Sequence, residues 1–186
     1  MKKAVIICMI AFLAISIYAK IRGIPFIRKN IDIEYIISDN LEEVKLKQKI
    51  RGYFDKTFIS KDKSYEIRYI TYGYEENTEI DDYIYTAYAV YVQTILLNIA
   101  EDEDNIRSAH NFKDEDVNIE FNANKGVTSF INGGGTYTEG YKYVMVNFFF
   151  NKDYGIVTQM VLFNDILDLQ NSKYYMEDFH SFRFKN

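Results

Sequence analysis

The residue types able to do chemistry are plentiful in this chain, but their spacing argues against most of that chemistry. Asp102 and Asp104, and again Asp114 and Asp116, have the opening spacing of a calcium loop. The pattern fails at its sixth position, where Arg107 or Ile119 stands in place of glycine. It fails again at its twelfth, where Lys113 or Lys125 replaces the bidentate glutamate. Both stretches read as solvated acidic loops. A zinc site would need His110 and His180, the only histidines, with Asp116 and Asp178 to complete it, and nothing in the spacing joins them. Gly133-Gly134-Gly135 lacks the Gly-Lys-Ser/Thr ending of a phosphate loop, and no helix pattern follows to supply a dipole. No nucleophile elbow and no His-Glu-x-x-His occurs. Paired carboxylates decide nothing in a chain with 27 acidic residues. No metal, no cofactor and no catalytic residue is expected from these patterns.

Two amides stand out instead. Tyr141 to Phe150 and Ile156 to Phe163 are the densest aromatic and β-branched runs in the chain, and residues of that kind suit a pleated, half-buried surface. Asn151-Lys152-Asp153-Tyr154-Gly155 separates them and ends in the residue that takes positive φ without steric cost. A hairpin with this five-residue loop pairs Phe150 with Ile156, Val146 with Met160 and Val144 with Leu162. A four-residue loop would set Asn147 against Thr158 instead. The Val144, Val146, Phe148, Phe150 side is almost wholly apolar and should meet helices. On the other side the five-residue loop brings Asn147 beside Gln159, flanked by Tyr143, Met145, Val161 and Phe163. Tyr143, Asn147, Gln159 and Phe163 are therefore the candidate contact residues for a ligand or partner, on a face left partly open to water. A homodimer through the same face is a further outcome, because Tyr, Phe and Met are enriched in interface cores.

Composition bounds the rest. A chain of 186 residues suits one domain with a real core. Its formal charge is −5, and loss of Lys2 and Lys3 would leave 20 basic against 27 acidic residues. So acidic a domain repels phosphate backbones, and no nucleic acid is expected as a partner. Met1-Lys2-Lys3 and the charge-free run Ala4 to Ala19 have the order of an export signal. As a helix that run is about 24 Å long, short of the ~30 Å hydrocarbon core. Ala14-Ile15-Ser16 offers small residues for cleavage after Ser16. The competing reading is an uncleaved anchor, with membrane contact confined to residues 4–19. Either way the domain is expected outside the cytoplasm, secreted, periplasmic or membrane-anchored. The single cysteine, Cys8, falls in this segment, so a processed chain would contain no thiol.

The positioning elements follow from periodicity. Residues 1–19 form the signal or anchor, 20–30 a short connector, and 31–186 one α+β domain. Ile31 to Ile37 alternates like a strand with one wet face. Asp39 or Asn40 could cap a helix running to about Phe58, with Leu46, Ile50, Phe54 and Phe58 on one stripe. Tyr65 to Tyr72 reads as a strand, and a second helix opens at Thr78 with Ile80, Ile84, Ala87, Tyr88, Tyr91 and Ile95 as its stripe. A polar loop then runs from Glu101 through Lys113, and Val117 to Phe121 pairs with Val127 to Ile131. Phe179 to Phe184 supplies a last strand. The sum is β-α-β-α followed by an antiparallel meander of at least four strands, with both helices on one sheet face. Helices before a late meander are also the order of cystatin-like and NTF2-like cone folds, an analogy of fold alone. The function expected is non-catalytic binding of a protein partner or small ligand through the aromatic sheet face. The alternative is a cell-envelope hydrolase or isomerase with a carboxylate acid and base in a sheet–helix cavity.

Overall fold

The computed structural model describes residues 26–45, 54–74, 83–100, 105–133, 136–138, 140–167 and 175–185. Among them the strands are β1 (Phe26–Arg28), β2 (Ile33–Tyr35), β3 (Leu41–Glu43), β4 (Lys56–Ser60), β5 (Tyr65–Tyr74), β6 (Ile106–Asn111), β7 (Lys125–Asn132), β8 (Tyr143–Asn151), β9 (Gly155–Phe163) and β10 (Phe182–Phe184). The helices are α1 (Tyr83–Ala100), α2 (Asp114–Phe121) and α3 (Tyr175–Phe179), with a 3-10 turn at Thr136–Thr138. The protein is α+β, dominated by one antiparallel sheet in the order β3-β4-β5-β9-β8-β7-β6, with β1 also paired to β5. A separate antiparallel ribbon joins β2 to β10.

The hairpin forms in the register that a five-residue loop dictates. Phe150 lies opposite Ile156, Val146 opposite Met160 and Asn147 opposite Gln159. Gly155 sits at φ 129°, the mirror-image region that only glycine enters freely. A Cβ there would stand 2.1 Å from the Tyr72 carbonyl oxygen. The β5 backbone can therefore pass this close to the loop only because residue 155 is glycine.

Strand β9 is buried along its whole length, between β5 and β8 in the sheet and between two apolar layers above and below. On one face Ile70 of β5, Val144, Val146, Phe148 and Phe150 of β8, and Met160 and Leu162 of β9 meet Ile84, Ala87, Tyr88, Tyr91 and Leu96 of α1. Tyr88 stacks on Phe150, and its hydroxyl donates to the Phe148 carbonyl at 3.0 Å. On the opposite face Tyr65, Ile67, Tyr69, Phe149, Val157, Val161 and Phe163 are covered by Val117 and Phe121 of α2, Phe179, and the β2–β10 ribbon. Full burial of such a side chain is worth about 1.5–3 kcal/mol each, so both layers hold the sheet.

Several expectations give way here. The helix expected over 40–58 is absent where the structure describes it: 41–43 and 56–60 are strands β3 and β4, which pair with each other. The four-residue spacing of Phe54 and Phe58 is a coincidence of composition, and β-branched Thr57 and Ile59 fit the pleat. Leu46 and Ile50 lie outside the described residues, as do residues 1–19 and the cap at Thr78 to Asp82. Val117 to Phe121 is helix α2 rather than a strand. Val117 and Phe121 are buried one turn apart, and Ile119 between them is 64% exposed. Asp114, Glu115 and Asp116, which resemble a calcium loop, occupy its first turn and favour the positive end of the helix dipole. The loop expected through Lys113 contains β6. Of the two helices expected on one face only the second is a helix among the described residues; as α1 it covers one side of the sheet, and α2, an expected strand, covers the other. Of the last expected strand only β10 is extended, since Phe179 ends α3.

Replacing Gly155 with alanine forces a side chain into both a disfavoured φ and an occupied space. Urea denaturation should show a loss of about 2 kcal/mol or more in unfolding free energy. An unchanged midpoint would mean that the loop closes differently.

Candidate functional site

The four residues singled out for contact do come together, but not on an open face. Asn147 and Gln159 are fully buried, Phe163 nearly so, and Tyr143 is half-buried at the rim. The free aromatic face expected there is corrected by the cover that α2, α3 and β10 lay over it.

What lies beneath is a directed line of hydrogen bonds. Asn147 Nδ2 donates to Gln159 Oε1 at 3.1 Å. Gln159 Nε2 in turn donates to the Tyr69 hydroxyl and to the Phe179 carbonyl, each at 2.9 Å. Ser181 donates its one hydroxyl proton to the Asp178 carbonyl. The 2.5 Å contact between Tyr69 and Ser181 must then have the tyrosine as donor. The line thus ties the middle of the sheet to the segment that covers it. Its first member is incompletely satisfied: among the described residues Asn147 Oδ1 has no hydrogen-bond partner.

A second cluster adjoins the line at Asp178, whose side chain is fully buried. Its carboxyl accepts from Ser38 Oγ and the Tyr65 hydroxyl. It accepts as well from Asn40 Nδ2 at 3.0 Å. Asn40 also donates its backbone N–H to Ser38 Oγ at 3.1 Å, so a short turn before β3 organises the donors. On the α1 face Glu66 and Arg68 form a further buried polar group, with Arg68 Nε 2.5 Å from Glu66 Oε1. Arg68 Nη1 donates to the Tyr137 carbonyl at 2.6 Å, and the guanidinium lies 5.1 Å from the Phe54 ring centre. The Tyr141 hydroxyl donates to Glu66 Oε2 at 2.8 Å. Burial, and after it the Glu66 charge, raise the pKa of that hydroxyl. These groups brace loops against the sheet. Asp178 and Glu66, the two buried carboxylates among the described residues, line neither of the cavities described below.

Other candidates disperse. His110 lies on β6, while His180 Nε2 is 3.3 Å from Glu120 Oε2. Among the described residues no three His, Cys, Asp or Glu side chains gather as a metal site. Ser60 and Lys63 have the Ser-x-x-Lys spacing of some serine nucleophiles, but they close the β4–β5 turn. Ser60 Oγ donates to Asp62 Oδ1 at 2.7 Å, and Lys63 takes φ 60°.

The open concavity lies elsewhere. A cleft of about 300 Å³ runs between the start of α1 and the corner where β6 passes into α2. Tyr85, Tyr88, Phe112 and Val127 form its walls, and Asn111, Asp114 and Lys125 its polar rim. Lys125 Nζ and Asp114 Oδ2 are ion-paired across that rim. A Cβ on Gly126 would turn to the opposite sheet face, 2.8 Å from Val117, 2.9 Å from Phe112 and 3.5 Å from Phe149. Tyr85 is 39% exposed, with the Phe150 ring behind it at 5.5 Å. A second cavity of about 200 Å³ lies beside β4, lined by Glu43, Val44, Lys45 and Phe54 to Thr57. Those residues flank the stretch 46–53, which lies outside the described residues. No sequence signal marked the α1–α2 cleft, because Tyr85 and Tyr88 of α1 lie more than 20 residues before the stretch from Asn111 to Val127 that completes it.

Two measurements probe the buried groups. Asp178→Ala strands three donors, so its unfolding free energy should fall by about 3 kcal/mol or more. Asn147→Ala strands one acceptor, Gln159 Oε1, and removes an oxygen that had no partner, so it should cost less; an equal loss would contradict this difference in pairing. Burial raises the Tyr69 hydroxyl to about 12 from 10.0, against the lowering effect of its Ser181 and Gln159 bonds. Tyr175 is likewise raised to about 12 by burial. The folded state keeps these protons where the unfolded chain loses them. Their contribution is therefore intact below pH 10 and declines as pH climbs to 12, by about 1.4 kcal/mol per unit for each. The last, highest-pH part of the tyrosinate absorbance rise should coincide with loss of the far-ultraviolet circular dichroism.

No family model matches the chain, and comparison with curated proteins finds no match, so its function has to be read from these side chains.

Proposed function

We propose that this chain is a non-catalytic binding domain that receives an apolar group of a ligand or partner protein in the α1–α2 cleft. The observation that carries this is the cleft itself, open to solvent, walled by aromatic rings and rimmed by a few placed polar groups. Its volume, about 300 Å³, is at the small end for such sites and suits one side chain or a small aromatic molecule. The interior polar groups favour the same reading, because they are engaged in holding covers onto the sheet. Placement outside the cytoplasm, by export or by tethering, is supported by Lys2, Lys3 and the charge-free run Ala4 to Ala19. The cone-fold analogy rests on a helix followed by a meander, an order that α1 and β6 to β9 share.

The test uses 8-anilinonaphthalene-1-sulfonate as the probe, whose rings suit the walls and whose sulfonate suits Lys125. The native chain should bind it saturably. Tyr85→Ala should weaken binding about fivefold to tenfold through loss of one exposed ring, and Ile119→Ala, on the exposed side of α2, should not. Equal affinity in the Tyr85 variant would remove the cleft as the site. Placement is tested separately by the intact mass of protein recovered from the exported fraction, where processing and any added lipid appear directly.

A further inference from the structure

We infer that the occupant of the cleft arrives as an extended peptide that adds as a strand to the outer edge of β6, dropping one large apolar side chain between Tyr85 and Val127. This rests on the cleft reading above and goes beyond it in naming the kind of partner. Among the described residues β6 ends the sheet, with no strand beyond it. The direction of its backbone groups follows from two bonds. The Phe112 N–H donates to the Gly126 carbonyl at 2.9 Å, and Ser129 Oγ donates to the Ser108 carbonyl at 2.7 Å. In an antiparallel ladder the bonded pairs alternate. Ser108, His110 and Phe112 therefore point their backbone groups at β7, and Ala109 and Asn111 point theirs off the edge.

The two ends of the sheet differ in how they treat that exposure. At the far end β3 spans only Leu41–Glu43, and its two glutamates are exposed, the usual means of discouraging strand addition. Along β6 the one charged residue is Arg107 near its start, and Ser108-Ala109-His110-Asn111 carries no lysine, no acidic group and no proline. Asn111 both presents outward backbone groups and forms part of the cleft rim. It pairs with Val127, which packs on the α1 face. A residue added opposite Asn111 projects to that same face, beside Tyr85. Backbone bonds along Ala109 and Asn111 would supply affinity and the cleft would select the side chain, as in other strand-addition complexes.

A second copy of this chain fits the edge less well. Antiparallel pairing that uses both outward residues sets Ala109 of one copy against Asn111 of the other, and a methyl group leaves a cleft of about 300 Å³ unfilled.

The probe is Ac-Thr-Val-Thr-Phe-Thr-Val-Thr-NH2, titrated into ¹⁵N-labelled full-length chain and followed by amide shifts. Saturable shifts at Ala109 and Asn111 are expected, with affinity reduced about tenfold or more when the peptide's Phe is changed to Ser. N-methylation of the peptide amides should abolish binding without any change to the protein. Ala109→Pro removes an N–H that β7 does not use, so the variant should fold, keep 8-anilinonaphthalene-1-sulfonate binding and lose the peptide. Absence of shifts at Ala109 and Asn111 up to about 1 mM peptide, or indifference to N-methylation, overturns strand addition. If the dye still requires Tyr85 in that case, the cleft stands and only the edge inference falls. Concentration-dependent dimerisation abolished by Ala109→Pro, with no peptide binding, would assign the edge to a second copy instead.

Discussion

The whole molecule answers to the burial of β9. A strand flanked by β5 and β8 has its backbone groups satisfied within the sheet, and its side chains project to both faces. With Ile156, Met160 and Leu162 on one side and Val157, Val161 and Phe163 on the other, neither face can be left to water. The chain must therefore supply two covers. One is a single long helix, α1, which carries tyrosines and aliphatic residues around most of its circumference. The other is assembled from pieces: α2, α3 and a ribbon made by joining β2 to β10 from distant parts of the sequence.

The composite cover explains why the polar groups sit where they do. A helix satisfies its own backbone, so α1 needs few polar anchors to the sheet, and Tyr88 and Tyr91 provide them. The second cover has short elements with many unpaired ends. Gln159 reaches the Phe179 carbonyl, Tyr69 reaches Ser181, and Asp178 gathers donors from Ser38, Asn40 and Tyr65. A buried polar group costs free energy unless it is paired, so each of these bonds fixes the cover in one position. Amides that seemed placed for a ligand are used to hold the protein's own C-terminal segment.

The open cleft lies at the margin of the sheet. Between α1 and α2 the covers on the two faces diverge around the β6–β7 corner, and neither fills it. A concave apolar patch beside a strand edge that is unpaired among the described residues combines the two features by which folded domains take up extended chains.

The hairpin, its register and its apolar face could be read from the sequence alone, because side-chain alternation and a glycine-ended loop are local and leave few alternatives. Strand β5 was legible for the same reason, and the helix at 83–100 from its helical stripe, although Tyr83 to Val92 has strand propensity as well. Short segments were not. Val117, Ile119 and Phe121 satisfy a period of two as well as Val117 and Phe121 satisfy a helical turn, and only the packing of α2 on Phe149 decides between them. Phe54 and Phe58 mimic a helical stripe, but pairing with β3 and β5 makes the second of them part of a strand. Whether the Asn147–Gln159 face is wet or dry depended on where the last residues of the chain return, a contact across most of its length. Tertiary structure decided that, since burial is a property of what packs against a surface and not of the residues that form it.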